Sequence, residues 1–520
     1  MRKYLELAVA LASFSPLLAI AQTPDSPNKS DVNSPPPNAI PVLANPAPPE
    51  TPSSVNTPAS PVAPASEKQP VLLPPEPLAG YAGTFFMRDP NDWFVLFPKG
   101  RLQVDGYFFP SRGDLPDGKA NNGAGDPRPR DTVFVRRARA EVQGTFAKHF
   151  DFSIAGEFAT IPGVGQYGTV TDCYVIINYT PYAQVQLGQF DVPFTMENRT
   201  SDKVFDFMER SLAVRSFGVP ANKDSGGMVF GYLPNKAFYY SLGLFNGEGQ
   251  SFKNQDNWPA GIGRAFVAPL APIAKGRRWM EEMEVGGSVW LQHQTNIGGA
   301  IAPSTTGGTQ NDLFAMTTQG GLGFFSSSYG NGAGTRSHLV PNGDTVKWAL
   351  EAHIPIKKFG VKWELVHQSI DISQYNDVTP AAPTRDATAP GAKLEGTATY
   401  VEAYYWILGD RDMIEPPGLE PIPRLKAFKS SADPKWGLQV LAKYEHLSFD
   451  VSGLPDKDPA QGNVNVNAIE LGLNGWLTKH VRLTANYVMN YIDGDTASVK
   501  KNFYFQKAEH ELLFRAGINL

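Results

Sequence analysis

The stretch VFVRRARAEVQGTF, residues 133–146, alternates between apolar and polar side chains over most of its length. In an extended chain, one face would carry Phe134, Ala138, Ala140, Val142 and Phe146. The opposite face would carry Arg137, Arg139, Glu141, Gln143 and Thr145. A repeat of two residues is typical of a β-strand, so this segment is predicted to be a strand with one apolar and one charged face.

The same alternation recurs in residues 361–367, 469–477, 481–491 and 511–520. A soluble β-sandwich also alternates, so the pattern alone leaves two architectures open. The segments run to about 9–14 residues, which matches tilted membrane strands. Soluble strands are usually shorter, about 5 or 6 residues. Segment length therefore favours a barrel whose apolar side faces lipid and whose polar side faces a water-filled lumen.

Roughly sixteen such segments can be counted, and an even number suits a closed bacterial barrel. They begin near Arg101, Val133, Asp151, Thr169, Tyr182, Gly226, Ala237, Gly261, Met283, Val346, Phe359, Thr397, Lys435, Val464, His480 and Gln506. Tight turns alternate with long connections between them. The predicted fold is all-β: a closed antiparallel transmembrane β-barrel of about 16 strands over residues 94–520, with its short turns in the periplasm. The segment near Gly261 has the weakest pattern.

The N-terminal region has a different composition. Arg2 and Lys3 precede an apolar stretch and the small-residue pattern Ala19-Ile20-Ala21, so residues 1–21 are predicted to be a signal peptide. Residues 22–77 hold 17 of the 45 prolines in the chain. Because proline interrupts both helices and sheet ladders, residues 22–80 are predicted to be a disordered periplasmic tether.

Composition and motifs exclude several other classes of protein. The formal net charge of -5 argues against general nucleic-acid binding. The single cysteine, Cys173, provides neither a disulfide nor a thiol metal site. No apolar run reaches the roughly 18 residues of a spanning helix. The chain lacks recognisable nucleophile, metal or dinucleotide motifs, so we expect no enzyme activity, cofactor or bound metal.

Four connected segments resemble a known family, the phosphate-selective porins of the O and P type. They are Phe134-Val135-Arg136-Arg137-Ala138-Arg139, then Gln186-Leu187-Gly188-Gln189-Phe190 followed by Pro193 and Phe194, then Glu209-Arg210-Ser211, and finally Leu244-Phe245-Asn246-Gly247. Each segment alone is weakly specific, whereas their order along the chain is more so. The resemblance covers approximately residues 94–520.

The resemblance implies a sixteen-stranded homotrimer in the outer membrane of a Gram-negative cell. Its pore would be narrowed by inward-folded loops and lined by arginine and lysine side chains. The segments expected to fold inward are Asp191 to Ser225, Thr295 to Thr345 and Leu408 to Pro434. The implied function is passive diffusion of small solutes, with anions such as phosphate as the expected cargo.

The candidate anion-binding and pore-lining residues are cations on the polar strand faces and in the first long loop. They are Arg137, Arg139, Arg101, Arg199, Lys203, Arg210, Arg215 and Arg515. Arg137 and Arg139 form the strongest candidate pair, since residues two apart on a strand share a face about 7 Å apart. Arg136 is expected to face lipid. Barrel closure would make the strands of Arg101 and Arg515 neighbours.

Three observations keep alternatives open. After its first residue, Asp191, the first long loop holds five acids, Glu197, Asp202, Asp206, Glu209 and Asp224. They match its five cations, Arg199, Lys203, Arg210, Arg215 and Lys223, in number, so the loop is interpretable as a neutral, salt-bridged loop. Arg137 and Arg139 are as consistent with structural pairing to Glu141 or an acid on the next strand as with anion binding. The alternative function is that of a general or carbohydrate-type porin, or of a plugged barrel serving as scaffold or adhesin. A carbohydrate track would use Tyr404, Trp406, Trp290 and Trp476.

Overall fold

The computed structural model describes residues 77–81, 83–110, 131–159, 168–219, 222–233, 236–254, 256–295, 315–330, 336–379, 382–385, 391–419, 436–502 and 508–520. The signal-peptide prediction and nearly all of the tether prediction lie outside these ranges. The first described strand begins at Ala79 and so includes the last two residues of the predicted tether.

Strands are numbered in chain order, and sixteen of them form the wall of a barrel. The wall consists of β3 (Phe94–Phe108), β4 (Thr132–Phe146), β5 (Phe150–Glu157), β6 (Thr169–Thr180), β7 (Ala183–Asp191), β8 (Lys223–Tyr232), β9 (Phe238–Phe245), β10 (Ala260–Val267), β11 (Glu284–Gln294), β15 (Arg336–Ile356), β16 (Phe359–Thr379), β18 (Ala392–Leu408), β19 (Gly437–Ser452), β20 (Gly462–Thr478), β21 (Val481–Gly494) and β22 (Ala508–Asn519).

The remaining elements are short. The other strands are β1 (Ala79–Tyr81), β2 (Phe85–Arg88), β12 (Met316–Thr317), β13 (Gly323–Phe325), β14 (Ser328–Gly330) and β17 (Ala382–Arg385). The helices are α1 (Leu212–Phe217), α2 (Arg278–Glu281) and α3 (Ala497–Asn502), with 3-10 turns at Ala271–Ile273 and Arg411–Met413. No helix in the described ranges is long and apolar enough to cross a membrane.

The barrel is closed by antiparallel pairing of the last strand with the first wall strand. In the β22–β3 register, Arg515 lies opposite Asp105 and Asn519 lies opposite Arg101. The prediction of about sixteen strands is confirmed, as is the adjacency of the strands that carry Arg101 and Arg515. The weakest predicted strand, near Gly261, is confirmed as β10, which pairs with β9 on one side and β11 on the other.

The two-residue repeat separates the two faces of the wall as predicted. On β21, Leu483 and Tyr491 are 49% and 45% exposed on the outside. Arg482, Thr484 and Asn490, which occupy alternate positions of the same strand, point inward and are buried. An outer surface of exposed aliphatic and aromatic side chains is what a strand requires to lie in lipid, because only apolar groups are stable there.

One prediction about β4 is wrong. Arg136 faces the lumen, where its guanidinium donates to the Glu209 carboxylate at 3.1 and 3.2 Å. The cause is a β-bulge: Gln103 of β3 pairs with Arg137 and Val104 pairs with Val135, so Arg136 has no partner across the ladder. An extra residue reverses the alternation beyond it. Phe134 therefore also turns inward and packs edge-on against Tyr107.

The barrel has two distinguishable ends. Very short turns, such as residues 181–182, 357–358 and 479–480, join strands at what we call the turn end. Longer connections join them at the loop end, and the connections after β10 and β18 at the turn end are also long. Strands β1 and β2 form a hairpin at the turn end, where Met87 and Arg88 pair with Leu96 and Val95 of β3.

The connection between β7 and β8, residues 192–222, is here named the constriction loop. Its described part, residues 192–219 and 222, folds into the lumen. It contacts well-separated parts of the wall: the Thr195 amide donates to Ser288 of β11 at 3.0 Å, and the Met208 amide donates to Asn486 of β21 at 2.9 Å. Helix α1 of this loop packs into a buried apolar cluster with β16, β18 and β19. The predicted inward folding of this segment is confirmed.

Two further connections enter the lumen. Residues 315–330 reach in from the loop end, where the Gly320 amide donates to Glu511 of β22 at 2.8 Å. This connection ends earlier than predicted, because β15 already begins at Arg336. Residues 409–419 enter from the turn end, and the Gly418 amide donates to Thr200 of the constriction loop at 2.8 Å. The rest of that predicted segment, residues 420–434, lies outside the described residues.

Lys347 of β15 holds the end of helix α1. Its ammonium donates to the Phe217 and Gly218 carbonyls at 2.9 and 3.1 Å and lies over the Trp290 ring. We expect Lys347→Met to leave these buried carbonyls unsatisfied and to lower the free energy of unfolding by about 1–3 kcal/mol. Urea unfolding of the refolded protein in detergent measures the change.

Lys393→Met provides the matched control for this substitution. Lys393 is a strand lysine too, but its side chain is 41% exposed and pairs with Glu395 at 3.1 Å. Exposed pairs contribute little, so the control should change stability by no more than about 0.5 kcal/mol. Equal effects of the two substitutions would contradict the role assigned to Lys347.

Candidate functional site

A cavity of about 610 Å³ lies between the constriction loop and the loop-end halves of β4 to β8. Its charged lining comprises six cations, Arg136, Arg137, Arg139, Arg210, Arg215 and Lys223, and four carboxylates, Glu157, Asp191, Asp202 and Glu209. The lining therefore carries a formal excess of two positive charges. Of the eight predicted site residues, this cavity brings together Arg137, Arg139, Arg210 and Arg215.

Arg137 and Arg139 of β4 share a face, as predicted, and each contacts a carboxylate. Arg137 Nε lies 2.6 Å from Asp202 Oδ2, and its Nη1 donates to Gln103 at 2.8 Å. Arg139 Nε donates to Glu157 of the next strand at 3.3 Å, and its Nη2 lies 3.8 Å from Asp202. Arg139 thus contacts an acid on the next strand, whereas the partner of Arg137 comes from the constriction loop.

Arg515 and Arg101 lie on the two strands that close the barrel, and both contact carboxylates. Arg515 makes a two-pronged contact with Asp105, 2.7 Å at both oxygens, and also donates to Glu209 at 3.1 Å. Arg101 contacts Asp202. Arg515 is neutralised by carboxylates and does not line the cavity. Its position is therefore that of an anchor between the wall and the constriction loop.

Two predicted loop cations are also structural. Lys203 pairs with Glu141 of β4 at 3.2 Å. Arg199 is buried and donates from Nη1 to the Asp191 carbonyl. Neither residue lines the cavity. These contacts fix the constriction loop against β4 and β7.

Arg210 and Arg215 differ from the other cations in their partners. Arg210 donates to the Glu197 and Thr200 carbonyls at 3.5 and 3.2 Å. Arg215 donates to the Arg210 and Thr318 carbonyls at 3.0 and 2.9 Å. Within the described part of the chain, neither guanidinium lies at ion-pair distance from a carboxylate. Both charges therefore remain for a solute in the cavity.

The electrostatics of Arg210 support this reading. Burial lowers the pKa of Arg210, and the attraction of Asp191 and Glu197 only partly offsets it. Its guanidinium stacks on the Phe205 ring, 4.4 Å from the ring centre, which fixes its position. A partly buried cation whose charge is incompletely compensated is stabilised by an incoming anion.

The four aromatic residues considered for a carbohydrate track are covered. Trp406 and Trp476 contact each other with ring centres 4.7 Å apart. Tyr404 of β18 and Phe207 of the constriction loop belong to the same buried cluster. Trp290 lies under Phe194 of the same loop. These rings pack the inward loops and present no open face to a sugar.

No group of three or more His, Cys, Asp or Glu side chains in the described residues is arranged to hold a metal ion. The charged groups that line the cavity are five guanidiniums, one ammonium and four carboxylates.

A sequence model of the family described as phosphate-selective porin O and P matches residues 115–508. The chain belongs to this family. It is an outer-membrane porin, a channel rather than an enzyme, through which small solutes diffuse. The family resemblance predicted from four short segments is confirmed.

Solved structures of low similarity include OmpT of Vibrio cholerae in its trimer form, with 12% identity, 82% of this chain and 100% of that chain covered, and a TM-score of 0.47. The anion-selective porin from Comamonas acidovorans has 10% identity, coverage of 82% and 100%, and a TM-score of 0.44. The channel DcaP of Acinetobacter baumannii has 9% identity, coverage of 82% and 97%, and the same score. A comparison with curated protein sequences finds no match.

The sequence interpretation of this porin missed two cavity cations and the role of one acid. Arg136 was assigned to lipid because the bulge is invisible in the alternation. Lys223, which pairs with Asp172 at 2.6 Å and Asp191 at 3.0 Å, was seen in the loop but not selected. Asp202 is predicted only as one of the negative charges of the first long loop, and its contacts with the wall arginines are not predicted. The Arg136-Arg137 doublet on a strand was the available signal for an irregularity.

Proposed function

We propose that this porin passes anions in preference to cations, with small oxyanions such as phosphate as its cargo. The observation that carries the proposal is the pair Arg210 and Arg215, whose guanidiniums bond to carbonyl oxygens at 2.9–3.5 Å in a cavity with excess positive charge. Carbonyl oxygens accept hydrogen bonds from the guanidinium N–H groups without cancelling the positive charge of the arginine. The positive field therefore acts on the solute.

The arrangement explains how an anion would enter and leave. An anion loses part of its water shell in the narrowed lumen, and guanidinium donors replace those hydrogen bonds. Arg137 and Arg139 lie on the same cavity, about 7 Å apart along the strand. Several weak cationic positions within reach of one another let the anion move between them without being trapped.

We further propose that the turn end faces the periplasm and that residues 22–80 form a tether there after removal of residues 1–21. An even number of strands brings both chain ends to the same side of the membrane, which supports this orientation. Family membership supports a homotrimer. The membrane partner is outer-membrane lipid, which the exposed apolar wall requires.

Planar-bilayer recordings of the purified full-length porin test the anion preference. In a gradient of potassium chloride, the reversal potential is expected to take the sign set by chloride. Phosphate added to the chloride solution is expected to reduce the current by occupying the same path. A reversal potential of the sign set by potassium, or no current at all, contradicts the proposal.

A further inference from the structure

The carboxylate of Asp202 contacts three arginines from two strands. Arg137 lies 2.6 Å and Arg139 3.8 Å from Oδ2, while Arg101 contacts Oδ1. The three arginines converge because β3 and β4 are in register: Arg101 pairs with Arg139, and Gln103 pairs with Arg137. The wall thus provides a fixed cluster of guanidiniums, here named the arginine triad.

One carboxylate does not neutralise the arginine triad. Glu157 adds a second carboxylate through Arg139, at 3.3 Å, which still leaves one formal positive charge among these five groups. Guanidinium forks match the spacing of paired oxygens in both carboxylates and phosphates. The triad therefore has the geometry and the charge of an oxyanion site, and a side-chain carboxylate already occupies it.

We propose that Asp202 is an internal counter-ion that fills an oxyanion-binding site made by Arg101, Arg137 and Arg139, and that a permeating oxyanion competes with it. The proposal rests on the anion preference proposed above. It goes further by assigning a second anion position on the wall and by naming the residue that keeps this position weak.

The position of Asp202 on a loop allows this competition. Its three partners belong to β3 and β4, whereas Asp202 belongs to the constriction loop. The next residue, Lys203, holds the loop to Glu141 of β4 at 3.2 Å, so the loop keeps an anchor when the Asp202 carboxylate is displaced. Arg137, Arg139 and Asp202 all line the cavity, which gives a solute access to the site.

A resident counter-ion explains how a strongly basic cluster stays compatible with rapid passage. Without a carboxylate shared among them, the three guanidiniums would hold an oxyanion tightly and slow its release. With Asp202 in place, the incoming anion must replace hydrogen bonds that already exist, so the gain on binding is small. Removal of the carboxylate is expected to convert a weak position into a strong one.

The test measures phosphate block of the chloride current in planar bilayers, using Asp202→Asn in the full-length porin. Asparagine keeps the shape of the side chain and removes its charge. The phosphate concentration for half-block is expected to fall about tenfold or more, because hydrogen bonds to charged groups are the stronger ones. Asp202→Glu retains the carboxylate, so this fall in the half-block concentration should not appear.

Asp172→Asn is the matched control, because it removes the same charge near the same cavity. Asp172 pairs with Lys223 and does not contact the arginine triad. When Asp172 is replaced, Lys223 retains its second partner, Asp191, at 3.0 Å. Its half-block concentration should stay within about twofold of the wild type, since a lone charge change acts only through a screened field. Asp202→Ser, a second neutral variant, serves if Asp202→Asn does not fold.

Equal phosphate sensitivity of the Asp202 and Asp172 variants overturns this inference. If the wild type prefers chloride over potassium in that case, the proposed function stands and only the internal counter-ion is rejected. If the wild type shows no anion preference, the proposed function is rejected. A fall in the half-block concentration confined to the neutral Asp202 variants supports the inference.

Discussion

Arg515→Met is expected to destabilise the barrel strongly, by about 3–5 kcal/mol, because it leaves buried carboxylates without their cation. Asp105 is fully buried and loses both 2.7 Å hydrogen bonds from Arg515. The Met208 carbonyl of the constriction loop loses a donor at 2.6 Å. Urea unfolding in detergent, compared with the wild type, measures the loss.

Restoring charge balance should reverse most of this loss. In the double variant Arg515→Met, Asp105→Leu, no charge remains at the buried position on either strand. Replacement of a buried ion pair by apolar residues of similar volume is often close to neutral for stability. If the double variant is as unstable as the single one, the damage comes from lost packing and not from an uncompensated carboxylate.

The same arginine contributes to the pH range over which the constriction loop stays attached. Burial raises the pKa of Glu209, but Arg136 and Arg515 outweigh burial and hold it well below its usual value. A carboxylate with a lowered pKa stabilises the folded state above its unfolded pKa and loses that contribution as the pH falls through the lowered value. The Glu209 anchor is therefore expected to persist at neutral and mildly acidic pH.

The wall of the barrel was predictable because its chemistry is local. Lipid on one side and water on the other force a two-residue repeat, so even the weak segment near Gly261 was placed correctly in β10. The inward loops were predicted from length and family resemblance. Counting alternate residues fails where a residue leaves the ladder, and Arg136 is that case.

The pairing of charges was not predictable from composition. The constriction loop holds four cations and four acids, which suggests a neutral loop. In the folded protein, Asp202 is shared by arginines of two strands, while Arg210 and Arg215 bond to carbonyls. These choices depend on strand register and on the path of the loop, and both arise from contacts distant in sequence.

The tryptophan pair shows the same dependence. Trp406 and Trp476 belong to β18 and β20, which are separated by β19. Their contact follows from two registers: Trp406 opposite Gln439, and Trp476 opposite Gly437. Glycine at position 437 leaves room for both rings. Sequence spacing does not reveal this proximity.

Replacing both Arg210 and Arg215 with glutamate is expected to reverse the ion preference of the pore. The change takes the formal charge of the cavity lining from an excess of two positive charges to an excess of two negative charges. The ratio of anion to cation permeability should fall by about tenfold or more, because a charged cleft changes the local counter-ion concentration by at least that factor. The sign of the reversal potential in a potassium chloride gradient reports the change.

The double substitution Lys236→Glu, Lys357→Glu is its control, because it makes the same change of charge on exposed turn-end lysines away from the cavity. Salt screens exposed charges beyond about 10 Å at 0.1 M, so the control should move the reversal potential only slightly. Arg210→Gln, Arg215→Gln should give an intermediate value, since it removes two charges and keeps hydrogen-bond donors toward the Thr200 and Thr318 carbonyls. If the glutamate variant and the control shift equally, selectivity arises from the net charge of the protein and not from these two guanidiniums.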